Sequence, residues 1–266
     1  MRLTLPRPTW PRLQLFELCD QSWLPRWIRD AETDYLAVAV AMLAPFRPLA
    51  SKIAEVLDRA GTDRIVDLGS GGAGPWPALA DEIASARGGR APRITLTDLF
   101  PNERAFERAR AAGLTHEIEP VDARAVPSQL LGARTMFDTL HHLRPRDARA
   151  VLEDAYRARV PIVIGEAMSR RPVILLTTSL IPLFVLLLTP RIRPLSGWRL
   201  LFTYAIPILP LVISWDGFVS CLRTYRPTEL STLTRGLDGF RWEAGEVRHK
   251  GTVLTYLIGE PEPASA

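Results

Sequence analysis

A short apolar run, residues 64–68 (Arg-Ile-Val-Asp-Leu), passes without a break into Gly69, Ser70, Gly71, Gly72, Ala73 and Gly74. A backbone this rich in glycine has to turn sharply, and it lets whatever lies above it approach with no Cβ in the way. A helix is expected next, over residues 76–87, closed by Gly88 and Gly89. A second apolar run, residues 93–97, then finishes on Asp98 ahead of Pro101 and Asn102. Strand, glycine turn, helix and strand make a βαβ unit, which commits the chain to a parallel sheet with a right-handed crossover.

The alternation continues. A helix is expected near residues 103–112, a third strand near 115–120 closed by Asp122, a fourth near 134–138 leading into His141 and His142, a helix near 145–158 and a fifth strand at 161–165. Five strands alternating with helices predict a doubly wound, mostly parallel, Rossmann-like α/β sheet. Residues 227–235 read as an amphipathic helix, and 240–246 with 253–259, around Lys250 and Gly251, read as a C-terminal antiparallel hairpin. The expected organisation is one domain: a helical cap over residues 1–60, interrupted at Pro25, Pro45 and Pro48; a core over 61–170 and 216–266; and an insertion over 171–215. Within the insertion, residues 173–188 and 200–215 are uncharged and apolar, joined by a stretch carrying Arg191, Arg193 and Arg199.

Composition narrows the class of partner. Of 33 basic residues only Lys52 and Lys250 are lysines, and the arginines are scattered among 29 acids rather than gathered on one stripe, so nucleic acid is not an expected ligand. Cys19 and Cys221 lack the paired spacing of a zinc motif or a disulfide framework, so no metal is expected and a reducing cytoplasm suits the chain. Residues 1–14 hold no apolar run of the kind a secretory signal requires.

Residues 69–74 match G-x-G-x-x-G, the dinucleotide fingerprint, so a nicotinamide or flavin enzyme competes with other readings of the turn. Asp67, two residues before the first glycine, weighs against a pyrophosphate and for a ligand with cationic groups, such as the ammonium and sulfonium of S-adenosyl-L-methionine. At an effective dielectric near 20, such a contact at about 4 Å is worth roughly 4 kcal/mol before desolvation. Asp98, at the end of the second strand, is placed to accept from two ribose hydroxyls, and Asp122, just past the third, to accept from an adenine amino group. Carboxylates at successive strand ends fall along the carboxyl edge of the sheet, where open α/β sheets bind ligands.

Val66-Asp67-Leu68-Gly69-Ser70-Gly71 resembles motif I of the class I S-adenosylmethionine-dependent methyltransferases, and Asp98, Asp122-Ala123 and Leu140-His141-His142-Leu143 are similar to that superfamily's later motifs. The resemblance spans about residues 64–166 and departs at Ala73, where many members carry glycine. It implies that Asp67, Gly69, Ser70, Gly71 and Gly72 hold the methionine part, Asp98 and Leu99 the ribose, and Asp122 and Ala123 the adenine, with Asp138 and Thr139 lining the near side. A second likeness, carried by Glu17-Leu-Cys-Asp20-Gln-Ser-Trp23-Leu-Pro25 with Arg29, Asp34 and Tyr35, and by Trp215-Asp216-Gly217 with Leu222-Arg223-Thr224-Tyr225, is to functionally unassigned bacterial members of the superfamily and names no substrate.

The catalytic candidates are His141, His142 and Asp216. The two histidines are adjacent and cannot both face a cleft, loop packing being the alternative for either; Glu166 lies at the correct edge for a substrate contact, an exposed strand-end acid being the commoner outcome; Asp216 is either paired with Arg223 or at a site. The apolar insertion reads as a hairpin at the depth of one leaflet with its arginines among headgroups, as a lid over a greasy pocket, or as ordinary buried helices. The expected function is methyl transfer to O, N or C of a small apolar or lipid-like acceptor, in the cytoplasm or at the inner face of its membrane. The alternatives are a membrane-surface interaction protein without catalysis and a nucleotide-dependent oxidoreductase.

Overall fold

A computed structural model describes residues 10–76 and 78–263; the expectation about residues 1–14 lies largely outside them. The central sheet has seven strands: β1 (Arg64–Leu68), β2 (Arg93–Thr97), β3 (Thr115–His116), β4 (Ala133–Phe137), β5 (Ile162–Glu166), β6 (Phe240–His249) and β7 (Thr252–Pro261). Their order is β3-β2-β1-β4-β5-β7-β6, with β7 and β6 antiparallel and the rest parallel, which is the doubly wound sheet with a terminal hairpin expected above. Lys250 and Gly251, at φ +45° and +84°, form the two-residue turn that joins the hairpin. The third strand is shorter than the expected 115–120: it pairs with β2 alone, at the sheet edge, over two residues, and Pro120 cannot donate to a ladder.

Helices cover both faces. On one side α2 (Ala50–Arg59), α3 (Ala78–Ala86) and α4 (Glu103–Ala111) pack through Ile53, Leu57, Leu79, Ile83 and Phe106. On the other, α5 (Pro145–Arg157) and α10 (Pro227–Leu233) pack through Val151, Leu152, Leu230 and Leu233.

The cap and the insertion build a separate layer. Residues 10–25 contain no helix, so among the described residues the helical part of the expected cap begins at Arg26; the segment before it runs as a strap. Helix α1 (Arg26–Leu43) follows, 18 residues long, burying Ile28, Ala31, Glu32 and Tyr35, an i, i+3, i+4, i+7 stripe. The insertion contributes α6 (Pro172–Thr177), α7 (Ile181–Leu188), α8 (Gly197–Leu200) and α9 (Ile208–Arg223), the last running past residue 215. Leu24, Ile28 and Tyr35 meet Val185, Leu188, Ile192, Leu209 and Ile213 in one cluster. Burying Val185, Leu188 and Ile192 is worth about 5–9 kcal/mol gross, so the insertion is bound to α1 and does not stand away from the domain. Arg199 is buried and its Nη2 donates to Asp34 Oδ2 at 2.6 Å, which removes it from the group of headgroup arginines; Arg191 and Arg193 are exposed.

Candidate functional site

The glycine turn leaves β1 with Gly69, Gly71, Ala73 and Gly74 all at positive φ. Asp67 lies beneath it, 1% exposed. Its Oδ1 accepts from Thr135 Oγ1 at 2.6 Å and its Oδ2 from Ser70 Oγ at 2.7 Å, while its carbonyl accepts from Thr97 Oγ1 at 2.8 Å. Asp67 therefore ties the turn to β2 and β4, with both carboxylate oxygens engaged beneath the loop. Burial raises its carboxyl to about 6, against the hydrogen bonds from Thr135 and Ser70 that hold it down.

A Cβ on Gly69 would lie 2.4 Å from Thr139 Cγ2, and one on Gly72 would lie 2.4 Å from Thr33 Cγ2 of α1. Both glycines are therefore needed for close approach, one by the β4 loop and one by the cap. Gly69→Ala, which adds a left-handed alanine to that clash, is expected to cost about 2–4 kcal/mol, read as a lowered Tm; an unchanged melt would mean that the β4 loop does not seat on the turn.

Asp98 is half-buried beside the turn. Its Oδ2 accepts from the Gly71 backbone N–H at 2.7 Å and its Oδ1 from that of Phe100 at 2.8 Å. A carboxylate oxygen has a second lone pair, so both oxygens stay available to hydroxyl donors. Leu99 is exposed and Ala123 half-buried. Asp122 is clamped by Arg124, at 2.9 and 3.1 Å from Nε and 2.7 Å from Nη2, and Arg124 also reaches Asp147 at 3.1 Å. Its carboxyl is lowered by that hydrogen-bonded guanidinium, and taking up an adenine amino group requires the pair to open, a small cost for a partly exposed ion pair.

Asp138 has φ +45° and its Oδ1 accepts from Ala167 N at 2.6 Å. A left-handed aspartate at a strand end is a strained position of the kind found at functional sites. Burial, then the charge of Glu166, raises its carboxyl; burial raises that of Glu166 too. Glu166 is fully buried, not the exposed strand-end acid expected; its Oε1 accepts from His141 N at 3.2 Å, and its Oε2 shares a hydrogen bond with His141 Nδ1 at 2.5 Å.

The histidine rings stack at 4.4 Å. His141 is buried, and burial followed by the charge of His142 lowers it to about 4, so it is neutral at pH 7. His142 faces a cavity of about 300 Å3 whose lining includes Gln14, Phe16, Asp20, Asp147 and Arg223. Its Nδ1 lies 2.8 Å from Asp20 Oδ1 and 3.3 Å from Glu17 Oε2. Burial works against its charged form, but Glu17 and then Asp20 outweigh it and raise His142 to about 9. A folded-state value above the ordinary 6.5 contributes stability that is full below pH 6.5 and lost as the pH rises towards 9. The Tm is expected to fall between pH 6.5 and 9, with the fall reduced in His142→Gln; the same slope in both proteins would dissociate His142 from the strap.

Asp216 is not paired with Arg223. Its Oδ1 accepts from Leu18 N at 2.7 Å and its Oδ2 from Cys19 N at 2.8 Å, holding the strap against α9. Arg223 instead reaches Asp20 at 2.7 Å and Glu17 at 3.1 Å and donates to the carbonyls of His141 and His142. Glu32, Thr33 and Thr135 also belong to the site and carry no sequence signal of it, since their roles rest on contacts across the fold.

Fold and site together define an α/β protein with a doubly wound sheet whose carboxyl edge carries Asp67, Asp98 and Asp138, with a helical cap seated on the glycine turn. Solved structures with a similar fold include magnesium protoporphyrin IX methyltransferase from Synechocystis PCC 6803 with bound SAH, at 13% identity over 81% of this chain and 83% of that one, TM-score 0.43. Another is human N-acetylserotonin methyltransferase in complex with SAM, at 17% identity over 91% of this chain and 60% of that one, TM-score 0.49. A third is the mitomycin 7-O-methyltransferase, at 18% identity over 80% of this chain and 53% of that one, TM-score 0.41. No family model and no curated protein sequence matches the chain.

Proposed function

We propose that the chain is an S-adenosyl-L-methionine-dependent methyltransferase for a small apolar or lipid-like acceptor, working at a membrane surface. The observation that carries the cofactor reading is the charge at the turn: the ionisable groups ending the first, second and fourth strands, Asp67, Asp98 and Asp138, are all acids. A dinucleotide pyrophosphate meets repulsion there, whereas a ligand with an ammonium and a sulfonium meets attraction. Gly71 is open on the side where its Cβ would stand, so the backbone can run against a ligand, and Asp98 keeps lone pairs for a ribose.

When bound, S-adenosylmethionine supplies an electrophilic methyl group on sulfur. Gly69 to Gly72 and Thr139 shape the floor, and Asp98 orients the ribose end. Helix α1, seated on Gly72 through Thr33, and the strap keep water from the cleft. Holding an acceptor in line with the methyl in such a water-poor space is worth about 7–11 kcal/mol of the barrier. His142, which lines the cavity, is the candidate to take a proton from a hydroxyl acceptor, and its own charged form must first lose a proton to do so. Asp216 positions the strap.

Support for the membrane comes from the insertion. Pro172–Arg191 is a 20-residue helical stretch of mean hydropathy 2.3, and only 17% of its apolar window is buried. Val173, Leu176, Leu180, Leu183, Phe184 and Leu187 are exposed at the spacing of one helical face, while Val185 and Leu188 on the other face pack against the cap. A helix tied to the domain along its inner face and bare along its outer face suits lying in one leaflet.

Calorimetric titration of the protein in mild detergent tests the cofactor reading. Micromolar binding of S-adenosylhomocysteine with none of NADH is expected; no binding of the former, or tighter binding of NADH, overturns it.

A further inference from the structure

Four carboxylates meet where the strap crosses α1 and α9: Glu17, Asp20, Glu32 and Asp216. The two cations among them are already engaged, Arg223 by Asp20 and Glu17, and His142 by the same two acids. Glu32 and Asp216 are left over. Each stands in the buried stripe of its helix, and among the described residues neither has a basic side chain in ion-pair contact. Glu32 is 93% shielded from solvent, 7% exposed, and its Oε2 has no hydrogen-bond partner. One carboxylate oxygen of Glu32, one of Asp216 and the Cys19 thiol sulfur all lie within 4.8 Å of one another. Two buried carboxylates facing each other require a proton or a cation between them, because an unpaired buried charge costs several kcal/mol.

We propose that Cys19, Glu32 and Asp216 bind one divalent cation of the zinc type. The thiol decides for a cation over a shared proton and for zinc over magnesium: it is the third donor on the same point, and thiolate is a ligand of soft or borderline ions. At bond lengths of about 2.0–2.3 Å the donors would stand roughly 3.3–3.8 Å apart, a contraction that side-chain rotation supplies. Asp216 is already oriented by the backbone N–H groups of Leu18 and Cys19, hydrogen bonds of the kind that fix metal-ligating carboxylates. Binding releases the Cys19 proton and the proton shared by Glu32 and Asp216 to solvent, and three protein donors leave one tetrahedral position open. Sequence spacing hides the site because its donors come from the strap, α1 and α9. The inference is independent of the methyltransferase reading and of the membrane.

The test uses the full chain in mild detergent, stripped with chelator and titrated with Zn2+ and with Co2+. One equivalent is expected to bind, with a near-ultraviolet thiolate-to-cobalt band and a heat that varies with the buffer's protonation enthalpy. Cys19→Ser should abolish the band without unfolding the chain, since among the described residues the hydrogen bond of the Cys19 thiol is a weak one, to Glu17 at 3.7 Å, which a hydroxyl can replace. Glu32→Gln should weaken Zn2+ binding by about tenfold or more, and His142→Ala should keep the band. A stripped wild-type chain that melts cooperatively yet takes up neither ion overturns the proposal in favour of a shared proton. A band that survives Cys19→Ser, Zn2+ affinity unchanged in Glu32→Gln, or a band lost with His142→Ala overturns it as well, the last by moving the ion to the neighbouring group of Glu17, Cys19, Asp20 and His142, which shares the thiol.

Discussion

Asp98→Ala is expected to bind S-adenosylhomocysteine about 100-fold more weakly than the wild-type chain. A hydrogen bond to a charged acceptor contributes about 1.5–3 kcal/mol, and each 1.4 kcal/mol is tenfold in Kd, so losing an acceptor for two ribose hydroxyls reaches that factor. The residue also receives the Gly71 and Phe100 backbone N–H groups, so part of the loss comes from a looser turn. Asp98→Asn separates the two contributions. It keeps one oxygen acceptor for a backbone donor but has a neutral amide in place of the second oxygen, and an intermediate affinity with an unchanged Tm assigns the larger share to the ribose. Calorimetric titration of the three proteins measures this, and an unchanged Kd in Asp98→Ala would remove the ribose from Asp98.

The core was legible because its punctuation is local. β1 and β2 end where Asp67-Leu68-Gly69 and Asp98 stand, and the hairpin turns at Lys250 and Gly251, residues whose chemistry sets the backbone within a few positions. The third strand was overrun because edge pairing, not local propensity, sets its length. The strap from residue 10 to 25 was unreadable for a different reason. Its geometry rests on partners about 200 residues away: Leu13 N donates to the Leu222 carbonyl at 3.1 Å, and Asp216 holds Leu18 and Cys19. The same distance in sequence hid the meeting of Arg199 with Asp34 and of Arg223 with Glu17 and Asp20. The line of acids at the sheet edge followed from strand order alone, whereas the depth of each one did not: Asp67 is enclosed, Asp98 is half-buried against the glycine turn and Asp122 is held by Arg124.

Leu176, Leu183 and Leu187, all more than half exposed on one face of the Pro172–Arg191 helix, are expected to carry the largest share of membrane affinity. Replacing the three with serine costs little fold stability, because surface changes away from packed contacts stay within about 0.5 kcal/mol. Withdrawing three leucines from hydrocarbon, at about 1–2 kcal/mol each for partly exposed side chains, lowers partitioning onto vesicles by roughly 100-fold or more. Arg191 and Arg193, exposed at the end of that helix, add about 1 kcal/mol each on anionic vesicles only. Their contribution falls with salt while that of the leucines does not. Vesicle co-sedimentation of the wild-type chain, the leucine variant and Arg191→Ala/Arg193→Ala, on zwitterionic and anionic lipid, separates the two terms. A wild-type chain that stays in the supernatant with both lipids and is monodisperse without detergent would exclude the bilayer, and a protein partner would then have to cover the face. Because α1 and α9 pack with α7 on one side and reach the glycine turn and the strap through Thr33 and Asp216 on the other, the same helical layer links the apolar face to the glycine turn.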